Sequence, residues 1–236
     1  MVNETLTILS NESLARDVRM MRLACALVPE PGQFLQVSVP GGFLRRPFGV
    51  ADYRDGVLSI IYKIVGKGTE YMSRMQPGQA LEVLHYLGNG FRLQPGSKRV
   101  CLIGGSVGLA PLLYLARFVK DATVVMGFRS RADVMLREEF EALGCRVTVC
   151  TEDGSEGVKG FVTDALPEDM DYYYACGPMP MLRAVCNAAK VEGQLSLEAR
   201  MGCGFGACVG CSIMTKDGTA RVCKEGPVFS SDKLIW

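Results

Sequence analysis

Four cysteines near the C-terminus, Cys203, Cys208, Cys211 and Cys223, carry the spacing C-x4-C-x2-C, with the fourth thiol after a gap of eleven residues. Thiolate is a strong, soft metal ligand. This order is the plant-type ligand run of a 2Fe–2S cluster, in which each iron takes two sulfurs. Glycines at 202, 204, 206 and 210 are interspersed with them. A chain wrapped round a cluster brings amides close to sulfur at unusual backbone angles, and glycine permits both. The alternative is structural zinc, which four thiolates also suit, but zinc sites normally show paired C-x2-C knuckles and only one is present. Disulfides or unliganded thiols are a further alternative. A cluster moves one electron at a time, so its electron source and sink must be sought in the rest of the chain or in a partner.

The chain of 236 residues is 48% hydrophobic and 22% charged, which predicts one large or two medium globular domains. Its net charge of +1, without a basic run, argues against nucleic acid and membrane surfaces as partners. No apolar run reaches the roughly 18 residues of a membrane-spanning helix. The start, M-V-N-E-T-L-T-I-L-S, lacks the pattern of a secretory signal. Ten cysteines in such a chain predict a reducing, cytoplasmic location rather than a disulfide scaffold. The single histidine, His85, makes chemistry based on histidine proton shuttling unexpected, so a cofactor should carry the reactivity.

The elements that must position the cysteine loop fall into two patterns. Over residues 1–95, short β-like segments at 5–9, 18–24, 33–39, 57–63 and 81–86 are separated by Gly/Pro turns, which predicts a small antiparallel β-barrel. One helical stretch, 69–75, follows Gly68, with Thr69 as its expected cap. From residue 96 to 197, apolar strands alternate with helices: R-V-C-L-I-G-G, then a helix over 106–120, T-V-V-M-G-F, a helix over 132–143, R-V-T-V-C, D-Y-Y-Y-A-C-G-P, and a helix over 179–191. That alternation predicts an α/β doubly wound parallel sheet. Residues 198–236 then form the cluster-binding segment.

Glycines punctuate the strand ends of the second region. G-G-S-V-G-L-A-P, with Gly104, Gly105, Gly108 and Pro111, is not the G-x-G-x-x-G dinucleotide fingerprint, yet it keeps that motif's logic of a close backbone approach and helix amides facing a pyrophosphate. A tight packing turn is the plain alternative. A-C-G-P-M-P-M at 175–181 falls at the carboxyl end of a later strand, where open α/β sheets bind ligands. Arg129 and Arg131 end another strand and suit either a 2′-phosphate or solvent, which leaves NAD and NADP both open. Cys25, Cys101, Cys145, Cys150 and Cys186 are expected as packed thiols.

Two stretches of the first region, R-R-P-F-G-V at 45–50 and I-Y-K-I-V-G-K-G-T at 61–69, would each alone suit a plain barrel strand. Together they resemble the flavin site of the ferredoxin–NAD(P) reductase family, with its R-x-aromatic-Ser run and later Gly-Thr helix start. The resemblance implies FAD held around Arg46, Pro47, Phe48 and Gly49, around Ile61, Tyr62 and Lys63, and at Gly68 and Thr69. Arg46 would face flavin phosphate or ribityl oxygens and Phe48 the flavin itself. Gly49 departs from the family by taking the Ser/Thr place, which removes a hydroxyl near flavin N5. The 104–111 and 175–181 strings resemble the same family's nicotinamide domain. They imply Cys176 near the nicotinamide as the candidate catalytic residue, with Gly177 and Pro178 along the pyrophosphate.

The order barrel, dinucleotide domain and cysteine loop narrows the resemblance further. E-A-R-M-G-C-G-F-G-A-C-V-G-C and R-V-C-K-E-G-P-V-F are similar to the electron-transfer subunits of NAD-dependent dihydroorotate dehydrogenase, over essentially the full length. L-G-N-G-F at 87–91 also fits, although His85–Tyr86 stand where Gly-Pro would be usual. The resemblance implies an electron relay in pyrimidine biosynthesis. An FMN-containing catalytic subunit, expected in a heterotetramer of two of each chain, would oxidise dihydroorotate. Electrons would pass through the 2Fe–2S cluster and FAD to NAD+. A relay serving a sulfide dehydrogenase or hydrogenase partner is the alternative, and a zinc-stabilised binding module a third.

Overall fold

The computed structural model describes residues 2–236. Strands β1 (Val2–Ala15), β2 (Val18–Ala24), β3 (Phe34–Val37), β4 (Arg46–Arg54), β5 (Val57–Lys63) and β6 (Ala80–Leu87) close an antiparallel barrel in the order β1-β2-β5-β4-β3-β6. Alternation along each strand sends one set of side chains inward. Leu23, Leu35, Val37, Val50, Leu58, Ile60 and Tyr62 form the barrel core. Helix α1 (Lys67–Ser73) adds Met72 to it. The helix begins at Lys67, two residues before the expected start. Thr69 is therefore inside the first turn rather than at its cap, and its hydroxyl accepts the Val65 amide at 2.9 Å and the Gly66 amide at 3.3 Å.

The second sheet contains β7 (Val100–Gly105), β8 (Thr123–Phe128), β9 (Arg146–Thr151), β10 (Val158–Lys159), β11 (Tyr172–Cys176) and β12 (Gly193–Ser196), all parallel to their neighbours in the order β10-β9-β8-β7-β11-β12. Helices α2 (Leu109–Ala116), α3 (Arg137–Ala142) and α4 (Met179–Ala188) cover it. All three are shorter than their periodicity suggests. Residues 106–108 and 131–133 instead form 3-10 turns.

The C-terminal segment returns to both bodies. It makes a hairpin of β13 (Ser212–Thr215) and β14 (Gly218–Arg221), and β15 (Val228–Ser230) then adds antiparallel to β12 as the edge of the parallel sheet. Neither was expected from the pattern, because the cysteine and glycine spacing masks strand periodicity.

Barrel and sheet share an apolar seam. Val18, Met20, Ala51 and Ile61 point outward from the barrel and are buried with Leu109, Leu112 and Leu113 of α2. Full burial of such side chains is worth about 1.5–3 kcal/mol each. Arg117, just past α2, pairs with Asp52 of β4, its Nη2 donating at 2.7 Å, and the Tyr114 hydroxyl donates to the Pro29 carbonyl at 3.1 Å.

The L-G-N-G-F stretch is tied to G-P-V-F. Asn89 Nδ2 donates to the carbonyls of Glu225 (3.1 Å) and Val228 (2.9 Å), and its Oδ1 accepts the Val228 amide at 3.0 Å. A Cβ at Gly88 would lie 2.4 Å from Pro227 Cδ, so only glycine fits there. Replacing Asn89 by alanine removes three bonds and strands Val228 polar groups. We expect a loss of about 2–3 kcal/mol, read as a lower denaturation midpoint at unchanged m-value; a midpoint equal to that of the parent chain would show that this tie contributes nothing.

Candidate functional site: cysteine loop, barrel strand and nucleotide cleft

The two stretches at 45–50 and 61–69 converge. Arg46 at the start of β4 lies over the first turn of α1, where a Cβ on Gly68 would come within 3.1 Å of its Nε. Its Nη1 donates to the Leu44 carbonyl. Phe48 packs toward the barrel core, its ring 5.8 Å from that of Tyr62. Gly49 faces the other way, and a Cβ there would meet the ring of Pro111 on α2 at 3.6 Å, an ordinary contact. The backbone here therefore leaves room for a Cβ at residue 49. Tyr62 is only 1% exposed, and its hydroxyl donates to Asn11 Oδ1 at 2.8 Å, so its side chain is committed to the barrel interior. Burial raises its pKa against the opposing effects of Asn11 and Arg19. Its neighbours diverge: Ile61 joins the seam, and Lys63 lines a cleft between the two bodies.

That cleft, of about 640 Å3, opens at the carboxyl ends of β7, β8 and β11, and Gly105, Pro178 and Glu198 are among its lining residues. Gly105 and Pro178 line it, whereas Gly104, Gly108, Cys176 and Gly177 lie in the packing beneath, which needs glycine. A Cβ at Gly108 would sit 2.5 Å from the Cys176 carbonyl oxygen and 2.6 Å from Gly177 Cα, and a Cβ at Gly104 would sit 2.4 Å from Leu109 Cδ2. Gly177, at φ +154°, lies against the backbone of Gly105. The two glycine strings, seventy residues apart in sequence, thus pack backbone to backbone as one surface.

Cys176 is buried at the base of that surface, and burial together with the nearby Glu198 carboxylate holds its thiol well above the usual range. Glu198 reaches solvent through the cleft, yet the enclosing walls raise its pKa too. Sequence reading gave Glu198 no role, although it opens the E-A-R-M-G-C-G-F-G-A-C-V-G-C stretch. Of the two arginines left open, Arg129 lines the cleft with Asp133 and Glu152, whereas Arg131 turns to Glu156 at 3.7 Å. The five packed thiols are as expected, Cys186 being half-buried, and burial raises Cys101 to about 12 and Cys150 to about 11.

The cysteine loop collects its thiols in two pairs. Cys203 Sγ accepts the amides of Ala207 (3.2 Å) and Cys208 (3.4 Å), and Cys208 Sγ accepts that of Cys203 (3.4 Å). Cys211 Sγ accepts the Cys223 amide at 3.4 Å. Burial pushes Cys203 up, but the amides of Cys208, Phe205 and Ala207 outweigh it and bring the thiol down to about 6. The more enclosed Cys223, beside the Cys211 thiol, is raised to about 12. Among the described residues, no three of these sulfurs lie within 4.8 Å of one another. The thiolates of a single zinc ion, at ~2.3 Å bonds, would form a tetrahedron with edges of ~3.8 Å. Sulfurs gathered as two pairs, one pair for each metal, suit a two-metal cluster instead.

A flavin-type barrel, a parallel-sheet nucleotide domain and a four-cysteine loop define an iron–sulfur oxidoreductase of the ferredoxin reductase-like class. Residues 198–235 match the iron-sulfur cluster binding domain of dihydroorotate dehydrogenase B, and residues 102–187 match the oxidoreductase NAD-binding domain. The chain is 41% identical to the dihydroorotate dehydrogenase B (NAD(+)) electron transfer subunit of Caldanaerobacter subterraneus subsp. tengcongensis, with 97% of each chain covered. It is 38% identical to the subunit of the same name from Fusobacterium nucleatum, with 96% of each covered. Among solved structures, an NADH-dependent reduced ferredoxin–NADP oxidoreductase superposes with a TM-score of 0.89 at 28% identity, covering 98% of this chain and 90% of that one. A ferredoxin NADP+ reductase from Neisseria gonorrhoeae with bound FAD and NADP superposes at 0.68 with 14% identity, covering 79% and 89%, and so shares the fold. The chain belongs to the family of dihydroorotate dehydrogenase B electron transfer subunits.

The contact of Gly108 with Cys176 and Gly177 is a direct test of the packing beneath the cleft. Gly108→Ala should lower stability by about 1–3 kcal/mol, as overpacking does, and raise the dissociation constant for NADH several-fold. Flavin content should not change. Unaltered NADH affinity would show that the 104–108 turn lies outside the nucleotide site.

Proposed function

We propose that this chain delivers to NAD+ the electrons that an FMN-containing catalytic partner withdraws from dihydroorotate, a step in pyrimidine biosynthesis. The two proteins would assemble as two of each chain in the cytoplasm. The observation that carries the reading is the approach of Pro111 to Gly49, where a Cβ would meet its ring, which sets the flavin-type stretch beside the nucleotide-type turn, while the same barrel borders the cysteine loop at Gln36 and Gly204. Dihydroorotate gives up two electrons and two protons to become orotate. NAD+ takes up two electrons and one proton as hydride, and one proton is released. When bound, the cluster supplies one-electron transfer, and FAD supplies the exchange between single electrons and the pair a nicotinamide takes.

Each group has residues that fit it. Arg46 and the start of α1 suit a flavin's phosphates, as a guanidinium laid over exposed amides favours anions. Pro47, Phe48, Gly49 and the backbone of residues 61–63 would border it. Gly104, Gly105, Gly108, Gly177 and Pro178 suit a pyrophosphate through close backbone approach, at the carboxyl end of the sheet. Cys176, beneath the glycine turns rather than in the cleft wall, stays a neutral thiol and would add no charge below a nicotinamide. Cys203, Cys208, Cys211 and Cys223 would bind the cluster, with the amides already aimed at Cys203 holding its thiolate form.

The activity test is direct. The isolated chain should oxidise NADH with an artificial acceptor yet reduce no NAD+ with dihydroorotate until the catalytic partner is added. Cys208→Ser should keep the first activity and abolish the second. Turnover of dihydroorotate by the isolated chain, or loss of both activities in the variant, would contradict this division of labour. A second expectation concerns the nucleotide. Asp133 and Glu152 place two carboxylates in the cleft beside Arg129, and they oppose a 2′-phosphate more than a free ribose hydroxyl. NADH should exceed NADPH in kcat/KM by about tenfold or more, equivalent to ~1.4 kcal/mol. Equal values would remove these carboxylates from the selection.

A further inference from the structure

Gln36 is an anomaly in the barrel wall. It is 0% exposed, and neither its Nε2 nor its Oε1 has a hydrogen-bond partner. Leaving a buried polar atom unpaired costs about 1–3 kcal/mol. Elsewhere the fold does satisfy a buried glutamine. Gln194 accepts the Arg92 amide at 2.9 Å and donates to the Arg92 carbonyl at 2.7 Å and to Tyr172 at 3.0 Å. A polar group left bare at the centre of a functional region calls for a partner that the polypeptide itself does not contain.

The direction in which Gln36 points identifies that partner. Along β3, Leu35 and Val37 enter the barrel core, while Phe34 faces outward and is buried with Cys211 and Cys223. Gln36 shares the outward face. Its carboxamide lies against Gly204, between Cys203 and Phe205. A Cβ at Gly204 would come within 2.1 Å of Nε2 and 2.6 Å of Cδ, and Gly204 holds φ +82°. On the neighbouring strand the registered partner of Gln36 is Pro47, within the stretch that carries Arg46 and Phe48. The amide group therefore sits between the flavin-type strand and the cysteine loop.

Resting on the reading that this loop holds a 2Fe–2S cluster, we propose that Gln36 is a hydrogen-bond donor to the cluster's sulfur, set by the barrel beside the loop. Sulfur is the acceptor that the loaded loop adds at this place. A donor aimed at it stabilises the more negative, reduced form and raises the reduction potential. Gln36 would thereby help to fix the potential of the cluster on the side facing the flavin strand.

The test uses the full chain, purified anaerobically. Iron and acid-labile sulfide in the parent protein are measured first, and their absence would defeat the cluster reading itself. Redox titration followed by EPR of the reduced cluster then compares the parent with Gln36→Leu and Gln36→Met. The expected result is a more negative cluster potential in both variants, with the flavin potential unmoved. A cluster potential equal to the parent's, or a shift of the flavin alone, would overturn the proposal. A measurement that requires no variant to fold completes the test. Parent protein labelled with 15N in glutamine side chains should show nitrogen coupling to the reduced cluster in pulsed EPR. Absence of that coupling would overturn the assignment.

Discussion

The C-terminal segment must lie against two bodies at once, and the other parts of the site depend on that constraint. β15 extends the parallel sheet as an antiparallel edge, while Asn89 at the end of the barrel bonds the residues just before and within it. Phe34 and Leu84 of the barrel, Leu195 of the sheet and the thiols Cys211 and Cys223 share a single apolar cluster. Were the segment anchored to only one body, the distance from cysteine loop to flavin-type strand would vary with every relative motion of the domains. One-electron transfer between bound groups would vary with it.

Glycine performs a second, opposite task in the cleft. The turn after β7 and the loop after β11 come together without side chains between them, since Gly108 leaves no space for a Cβ above Cys176. Backbone thus packs on backbone directly beneath the cleft. Burial keeps Cys176 neutral in that packing, whereas the amide-rich cysteine loop lowers the Cys203 thiol. The same residue type thus meets two electrostatic environments in one chain: one keeps a thiol neutral, the other favours its thiolate.

Local order explains which expectations matched and which shifted. The strands at 18–24, 57–63 and 123–128 have the bounds that apolar runs between turn residues suggested. Helix ends moved because Thr69 and Ser106 serve backbone geometry that propensity does not encode. Thr69 folds its hydroxyl back onto two preceding amides, and Ser106 holds φ +51° in a 3-10 turn. The strand β15 was hidden because its pairing is entirely tertiary: three residues find an edge that another region built.

By itself the sequence determined the ligand chemistry and the order of the parts. Thiol spacing, glycine placement and the change from strand-only to alternating patterning are local properties, and local spacing limits which atoms a short loop can bring together. Only the tertiary structure decided what those parts face. It committed Tyr62 to the barrel interior, set Gly49 under Pro111, put Glu198 beside Cys176 and left the Gln36 amide bare against the cysteine loop. Each of these depends on residues distant in the chain meeting at one point, and nothing in a residue's own neighbourhood records which surface will close over it.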